Sequence, residues 1–168
     1  MTDDTCDRGG EDCQKRMDAI QRFFLRPFFL SCTIGIPFCL FKILFGLSMM
    51  RAGSSEGESL AFWGMVVTTW AVADLLMNST KSFLDLLHRT APFEYCTIAQ
   101  LGRIFGMPLV FLAFDTLLTF GIISAMLWTG WIATLTPVES FLWYAATTMN
   151  LISLSLVSLY NEVRRVKN

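Results

Sequence analysis

Four long apolar runs limit what this chain can fold into more than any other feature. They cover residues 28–50, 60–77, 104–129 and 138–160. A helix needs about 20 apolar residues to cross a bilayer, and in lipid only helices and closed barrels satisfy every backbone hydrogen-bonding group. Because the runs are continuous and do not alternate with polar residues, they favour helices over barrel strands. We predict an all-α integral membrane protein with four transmembrane helices.

The composition supports this class and divides the chain into three parts. Of the 168 residues, 54% are hydrophobic and 16% are charged, which is too apolar for an ordinary soluble domain. We predict a polar N-terminal segment at 1–27, a four-helix transmembrane domain at 28–160 and a basic tail at 161–168. The net charge of −1 and the lack of a sustained basic tract argue against nucleic-acid binding.

The distribution of Lys and Arg predicts the orientation in the membrane. Eleven of these residues flank the runs on the side of the two termini, whereas the opposite side has only Arg51. Positive charge collects on the cytoplasmic side, or on the matrix or stromal side in an organelle. We therefore expect a multi-pass protein of a plasma, inner or organelle inner membrane, with both termini on that side.

Two stretches on the predicted inner side are amphipathic. Residues 14–26 and 79–90 repeat apolar side chains at helical spacing against charged ones. This pattern is typical of short helices that lie at the membrane surface. The alternative is that each stretch extends a spanning helix or faces a partner.

Asp115 stands near the middle of the third run, where a charge costs about 2.5–3.5 kcal/mol on insertion scales. Its short side chain cannot reach the headgroups, so it must be protonated, paired or in contact with water. A polar cluster at the same depth is predicted to pair Asp115 with Lys42, beside Asn150 and the hydroxyl groups of Thr68 and Thr69. Lys42 could instead extend its long stem to the outer surface.

Two other interpretations of Asp115 remain open. It could contact a cation on another subunit, since small residues spaced four apart permit close helix packing. It could also carry protons or cations, with Asp74 as a second intramembrane acid. Asp74 lies near the inner end of its run, within reach of headgroups or water. Pro37 and Pro108 are predicted to kink the first and third helices, because proline lacks a backbone donor.

Recognisable catalytic and metal-binding patterns are absent from the sequence. The single His and five Cys, with no CxxC pair, are too few for a Cys/His metal site or for paired haem ligands. We expect no enzymatic activity, no metal and no cofactor apart from bound lipid. The partners expected are membrane lipids and other membrane subunits or further copies of the chain.

These features favour a non-catalytic accessory or scaffold subunit of a larger membrane assembly. Short outer loops and amphipathic inner stretches suit docking to a partner. The first alternative is a small homo-oligomeric channel or transporter for protons or cations that uses Lys42 and Asp115. The second is a membrane enzyme subunit that lines a lipid or quinone pocket. Four spans are shared by many unrelated proteins, so the architecture alone does not select among these functions.

Overall fold

A computed structural model of the chain describes residues 27–87, 89 and 92–167. Across these ranges every regular element is a helix. In chain order they are α1 (Pro27–Leu30), a π-helical turn (Ser31–Gly35), α2 (Ile36–Glu56), α3 (Glu58–Leu86), α4 (Thr97–Ile104), α5 (Pro108–Trp128), a 3-10 turn (Trp131–Thr134) and α6 (Pro137–Lys167).

In the part of the chain that the structure describes, four helical segments are long and apolar enough to cross a membrane. They are Ser31–Ser54, Glu58–Leu86, Pro108–Trp128 and Pro137–Leu159. The first consists of the π-helical turn and most of α2, and the others belong to α3, α5 and α6. For the described residues, this confirms the prediction of an all-α fold with four helices that are able to span a membrane.

Helix α2 is the centre of the fold. It packs along α3 over most of its length, and it also contacts α5 and α6. The main apolar core lies where α2, α5 and α6 meet and consists of Phe41, Leu44, Met126, Trp143 and Ala146. The rings of Phe41 and Trp143 meet edge to face at 4.8 Å, a geometry that favours aromatic pairs.

Small residues let α2 and α3 approach closely. A Cβ atom on Gly46 would lie 2.8 Å from the carbonyl oxygen of Gly64, and one on Gly53 would overlap the backbone nitrogen of Ala61. In lipid, close van der Waals packing replaces the hydrophobic effect as the force between helices. Gly64 therefore lies in a contact between two helices of the same chain. The sequence analysis had considered small residues of this kind for contacts between subunits.

Pro37 distorts its helix, but Pro108 begins one. The π-helical turn Ser31–Gly35 immediately precedes α2, and Pro37 is the second residue of α2. The wider turn accommodates the proline ring, which would clash with the carbonyl group of Thr33 in a regular α-helix. Pro108 is instead the first residue of α5, where its missing N–H costs nothing. The prediction of a kink at Pro108 is therefore wrong.

One of the two amphipathic stretches, the one predicted at 79–90, differs from the prediction. Residues 79–86 continue α3 without a break, so no separate helix begins at residue 79 and the extension alternative describes these residues. The other predicted surface helix, at 14–26, lies outside the described residues. A short helix that was not predicted, α4, follows in the connection to α5, and its Gly102 packs against Phe111 of α5.

Candidate functional site

One buried ammonium group, on α2, bridges a carboxyl group on α3 and another on α5. Lys42 Nζ on α2 lies 2.5 Å from Asp115 Oδ1 on α5 and 3.1 Å from Asp74 Oδ2 on α3. The side chains of Lys42 and Asp74 are 1% and 0% exposed, and that of Asp115 is 8% exposed. We call these three residues the charged cluster. It joins three spanning helices through hydrogen bonds between ionisable groups, which are stronger than neutral ones.

The second oxygen of Asp74 holds the start of α4. Asp74 Oδ1 accepts hydrogen bonds from the backbone nitrogen and from the hydroxyl group of Thr97, each at 2.7 Å. The Thr97 hydroxyl in turn accepts a hydrogen bond of 2.6 Å from Trp70 Nε1. Lys42 Nζ lies 4.4 Å from the centre of the Trp70 ring, close enough for a cation–π interaction.

Lys42 and Asp115 therefore meet, but Asp74 does not reach headgroups or water as the sequence suggested. Its carboxyl group is fully buried because Lys42 and Thr97 surround it. Lys42 likewise does not extend to the outer surface. Its ammonium group is held between the two carboxyl groups, one helix away on either side.

The other predicted members of the polar cluster lie elsewhere. The hydroxyl groups of Thr68 and Thr69 bond to carbonyl groups one turn earlier in α3, at 2.8 Å and 2.9 Å. Thr68 packs against Gly46, and Thr69 is exposed. Asn150 is half-buried on α6, and neither Lys42 nor Asp115 bonds to it within the described ranges. A Thr hydroxyl group in a helix can donate its hydrogen bond to a carbonyl group of the preceding turn. These residues therefore need no partner on another helix, although they lie at the same depth as Asp115.

A cavity of about 310 Å³ adjoins the charged cluster and is lined by Lys42 and Asp115. It extends between α2, α3, α5 and the segment that leads into α4. Its apolar wall includes Ile34, Phe38 and Leu112, and its polar wall includes Ser31, Asn78, Tyr95 and Thr116. The cavity thus has an apolar side and, at Lys42 and Asp115, a charged end.

A neutral hydrogen-bonded group forms part of the polar wall. The hydroxyl group of Ser82 donates to Ser31 Oγ at 2.6 Å, and Ser31 donates to Asn78 Oδ1. The Asn78 side chain fits because residue 35 is glycine, since a Cβ atom there would lie 2.5 Å from the Asn78 amide nitrogen. Three polar side chains on two helices are thereby fixed at the edge of the cavity.

The segment before α4 covers one side of the cavity. Lys81 Nζ lies 3.3 Å from Glu94 and 3.9 Å from the centre of the Tyr95 ring. The backbone nitrogen of Glu94 donates to Gln100 at 2.9 Å. These contacts hold Tyr95 and Cys96 against the cavity, which both of them line.

Both of these side chains stay neutral. Burial raises the pKa of the Cys96 thiol to about 12, and the charge of Asp115 adds to the effect. Burial, together with the charges of Asp85 and Glu94, also raises the pKa of the Tyr95 hydroxyl group. Neither group is an activated nucleophile, because the thiolate and the phenolate are disfavoured at neutral pH.

Three contributors to the site were missed in the sequence, namely Trp70, Asn78 and Thr97. A signal existed for the first two, since Trp70, Asp74 and Asn78 recur every fourth residue and must share one face of α3. For Thr97 there was none, because its contact with Asp74 depends on how the connection folds back.

The ionisable groups of the site are engaged with one another. In the part of the chain that the structure describes, no group of three or more His, Cys, Asp or Glu residues is placed to hold a metal ion. The buried carboxyl groups engage Lys42, and the thiol beside them is protonated. The chain matches no protein-family model, no curated protein and no solved structure, so its function is inferred from the site itself.

Proposed function

We propose that this chain is a non-catalytic membrane protein that binds one small amphiphile, of the lipid or quinone class, in the cavity beside the charged cluster. The observation that carries the proposal is the cavity of about 310 Å³ with an apolar wall and a charged end. Ligand sites in proteins are commonly clefts of about 300–1,000 Å³ with mostly apolar walls and a few polar groups that fix orientation.

The position of the cavity supports a ligand that arrives from the bilayer. Its lining residues belong largely to the spanning segments of α2, α3 and α5. Helix α3 packs mainly on α2, and α5 packs on α4 and on α2, whereas α3 and α5 make few contacts with one another. We propose that an acyl or prenyl tail enters the cavity between α3 and α5.

The role of a subunit in a larger assembly is part of this proposal. The outer connections at residue 57 and at 129–136 are short, which leaves little protein on that side to act alone. An amphiphile-binding subunit needs no catalytic residues of its own. It can supply the bound molecule to neighbouring subunits or use it to stabilise contacts with them.

The test is to extract the protein from its own membrane in mild detergent and measure the bound small molecules by native mass spectrometry. Leu112→Trp fills the cavity, and Leu117→Trp is the matched control, because Leu117 lies on the same helix but is 69% exposed. We expect one bound amphiphile in the wild type and in Leu117→Trp, and none in Leu112→Trp. Equal retention in all three proteins would sink the proposal.

The orientation is proposed from the Lys and Arg distribution, with both termini on the cytoplasmic, matrix or stromal side. One cysteine added to the wild-type chain at exposed position Ser59 or Thr80 tests the orientation with a maleimide that does not cross membranes. Ser59→Cys should be labelled from the outer side of sealed vesicles, and Thr80→Cys only after the vesicles are opened. The wild type gives the background from its own cysteines. The reverse pattern would invert the topology.

A proton or cation pathway is the second candidate function. The observation that favours it is the single ammonium group between two carboxyl groups, an arrangement that a proton could switch. Flux into proteoliposomes should then fall to background for Asp115→Asn while the protein stays folded. Unchanged flux in this variant would remove the candidate.

A further inference from the structure

We infer that the amphiphile bound in the cavity carries a cationic amine head, which Asp115 binds. This inference rests on the proposed function, because it names the chemical class of the ligand in the same cavity. It follows from the charge balance of the charged cluster and from the different surroundings of its two carboxyl groups.

The charged cluster has two acids and one base. Among the described residues that line the cavity, Lys42 is the only Lys, Arg or His, and Asp74 lies directly behind it. With all three groups ionised, the cluster has a net charge of −1 at membrane depth. An unbalanced buried charge is strongly unfavourable, so a further positive charge stabilises the site.

The two carboxyl groups differ in how fully they are bonded. Asp74 accepts bonds from Lys42 through Oδ2 and from Thr97 through Oδ1, and its side chain is 0% exposed. Asp115 bonds to Lys42 through Oδ1. Its side chain is 8% exposed, and it lines the cavity. Asp115 is therefore the carboxyl group that can accept a further hydrogen bond from a ligand.

The same geometry disfavours an anionic head. Lys42 is 1% exposed and donates to two carboxyl groups, so its charge is not available to a ligand. The other polar groups of the wall, among them Asn78 and Thr116, are neutral. A carboxylate or phosphate head would meet the Asp115 carboxyl group first, whereas an ammonium head would bond to it and balance the cluster at two positive and two negative charges.

Three unbranched probes with six carbon atoms each separate the effect of the charged head from that of the apolar tail. They are n-hexylammonium, 1-hexanol and hexanoate, titrated by calorimetry at neutral pH into the full chain in nanodiscs. A hydrogen bond to a charged group contributes about 1.5–3 kcal/mol, which corresponds to roughly 10- to 100-fold in affinity. We expect n-hexylammonium to bind at least about 10-fold more tightly than 1-hexanol, and hexanoate to bind most weakly.

Two variants locate the effect, with empty nanodiscs as the blank for partition into lipid. Asp115→Asn keeps the shape of the side chain and should make the n-hexylammonium and 1-hexanol affinities equal. Leu112→Trp should abolish binding of both. If Asp115→Asn does not fold, the order of the three probes on the wild type is sufficient by itself.

The possible failures are distinct. Equal binding of n-hexylammonium and 1-hexanol to the wild type, lost in Leu112→Trp, would overturn the amine inference and leave the amphiphile site intact. A preference for the amine that survives in Asp115→Asn would also overturn it. Binding of the probes that is the same in Leu112→Trp and wild type would overturn the proposed function as well.

Discussion

Asp74 accepts two hydrogen bonds from Thr97, one from the backbone nitrogen and one from the hydroxyl group, each at 2.7 Å. The same carboxyl group holds Lys42 through its other oxygen. One side chain on α3 therefore fixes both the centre of α2 and the first turn of α4. A negative charge at the N-terminal end of a helix also interacts favourably with the helix dipole.

Replacing Thr97 by Val should loosen this junction. The change removes the hydroxyl donor to Asp74 and the acceptor for Trp70, while the backbone bond remains. We expect a loss of about 1–3 kcal/mol of stability, the usual cost of an unsatisfied buried polar group. Thr148→Val is the control, because its exposed hydroxyl group bonds only within its own helix, and it should change the melting temperature little. If the two variants had equal melting temperatures in detergent, the Thr97 hydroxyl group would not stabilise the fold.

Loss of Lys42 should be far more harmful than loss of Asp115. Lys42→Met leaves two buried carboxyl groups side by side without a cation, and breaking a buried ion pair costs about 3–5 kcal/mol. Asp115→Asn leaves the neutral pair of Lys42 and Asp74. We therefore expect a small change for Asp115→Asn and a large fall in the thermal midpoint for Lys42→Met, measured by size-exclusion chromatography after heating.

The same geometry predicts how these changes combine. Adding Asp115→Asn to Lys42→Met should recover only part of the loss, because Asp74 still has no cation. Adding Asp74→Asn as well should recover more. If Asp115→Asn alone were as damaging as Lys42→Met, the two carboxyl groups would not share one ammonium group in the way that the structure shows.

The close approach of α2 and α3 should tolerate no side chain at Gly64. A Cβ atom there would lie 2.7 Å from the carbonyl oxygen of Gly46, so the helices would have to separate. Overpacking of this kind costs about 1–3 kcal/mol. Gly121→Ala is the matched control, because a Cβ atom on Gly121 would point into open space and Ala favours helix formation. The melting temperature should fall for Gly64→Ala and stay level or rise for Gly121→Ala.

The Cys96 thiol should react slowly in the folded protein. Its pKa is raised from 9.0 to about 12, mainly by burial, so the thiolate is scarce at neutral pH. Site-resolved mass spectrometry after iodoacetamide treatment should show little modification of Cys96 at a pH of about 8, where a thiol with the unshifted pKa of 9.0 is partly ionised. Modification should be rapid once the chain is unfolded. Fast alkylation of Cys96 in the folded state would contradict the burial.

The raised pKa of Cys96 also predicts how the stability of the fold changes with pH. A pKa that is higher in the folded state than in the unfolded chain means that the protonated thiol stabilises the fold. This contribution is complete below pH 9.0 and is lost as the pH rises toward about 12.

The spanning helices were predictable because each carries a long apolar signal of its own. The contact of Lys42 with Asp115 was also within reach of the sequence, since two opposite charges in lipid have few other partners. The role of Asp74 was not, because depth along a helix does not show which side it presents to a neighbour. Only the fold-back of residues 92–97 encloses that carboxyl group.

The boundaries that were missed have local causes. Gly106 adopts a positive φ of 71° just before Pro108, and together they end one helix and begin another inside a single apolar run. Hydropathy averages over such a break. Residues 79–86 likewise continue α3, because an amphipathic pattern fits both a surface helix and the end of a spanning helix.

The central place of α2 has a consequence for the order in which the chain matures. Lys42 and Asp74 lie on the segments Ser31–Ser54 and Glu58–Leu86, which are both synthesised before Asp115. The ion pair of Lys42 and Asp74 can form as soon as the hairpin of α2 and α3 enters the membrane. Lys42 then has a counter-charge in the lipid from the start. Asp115 then arrives as the third partner, and its charge decides how the second hairpin docks onto the first.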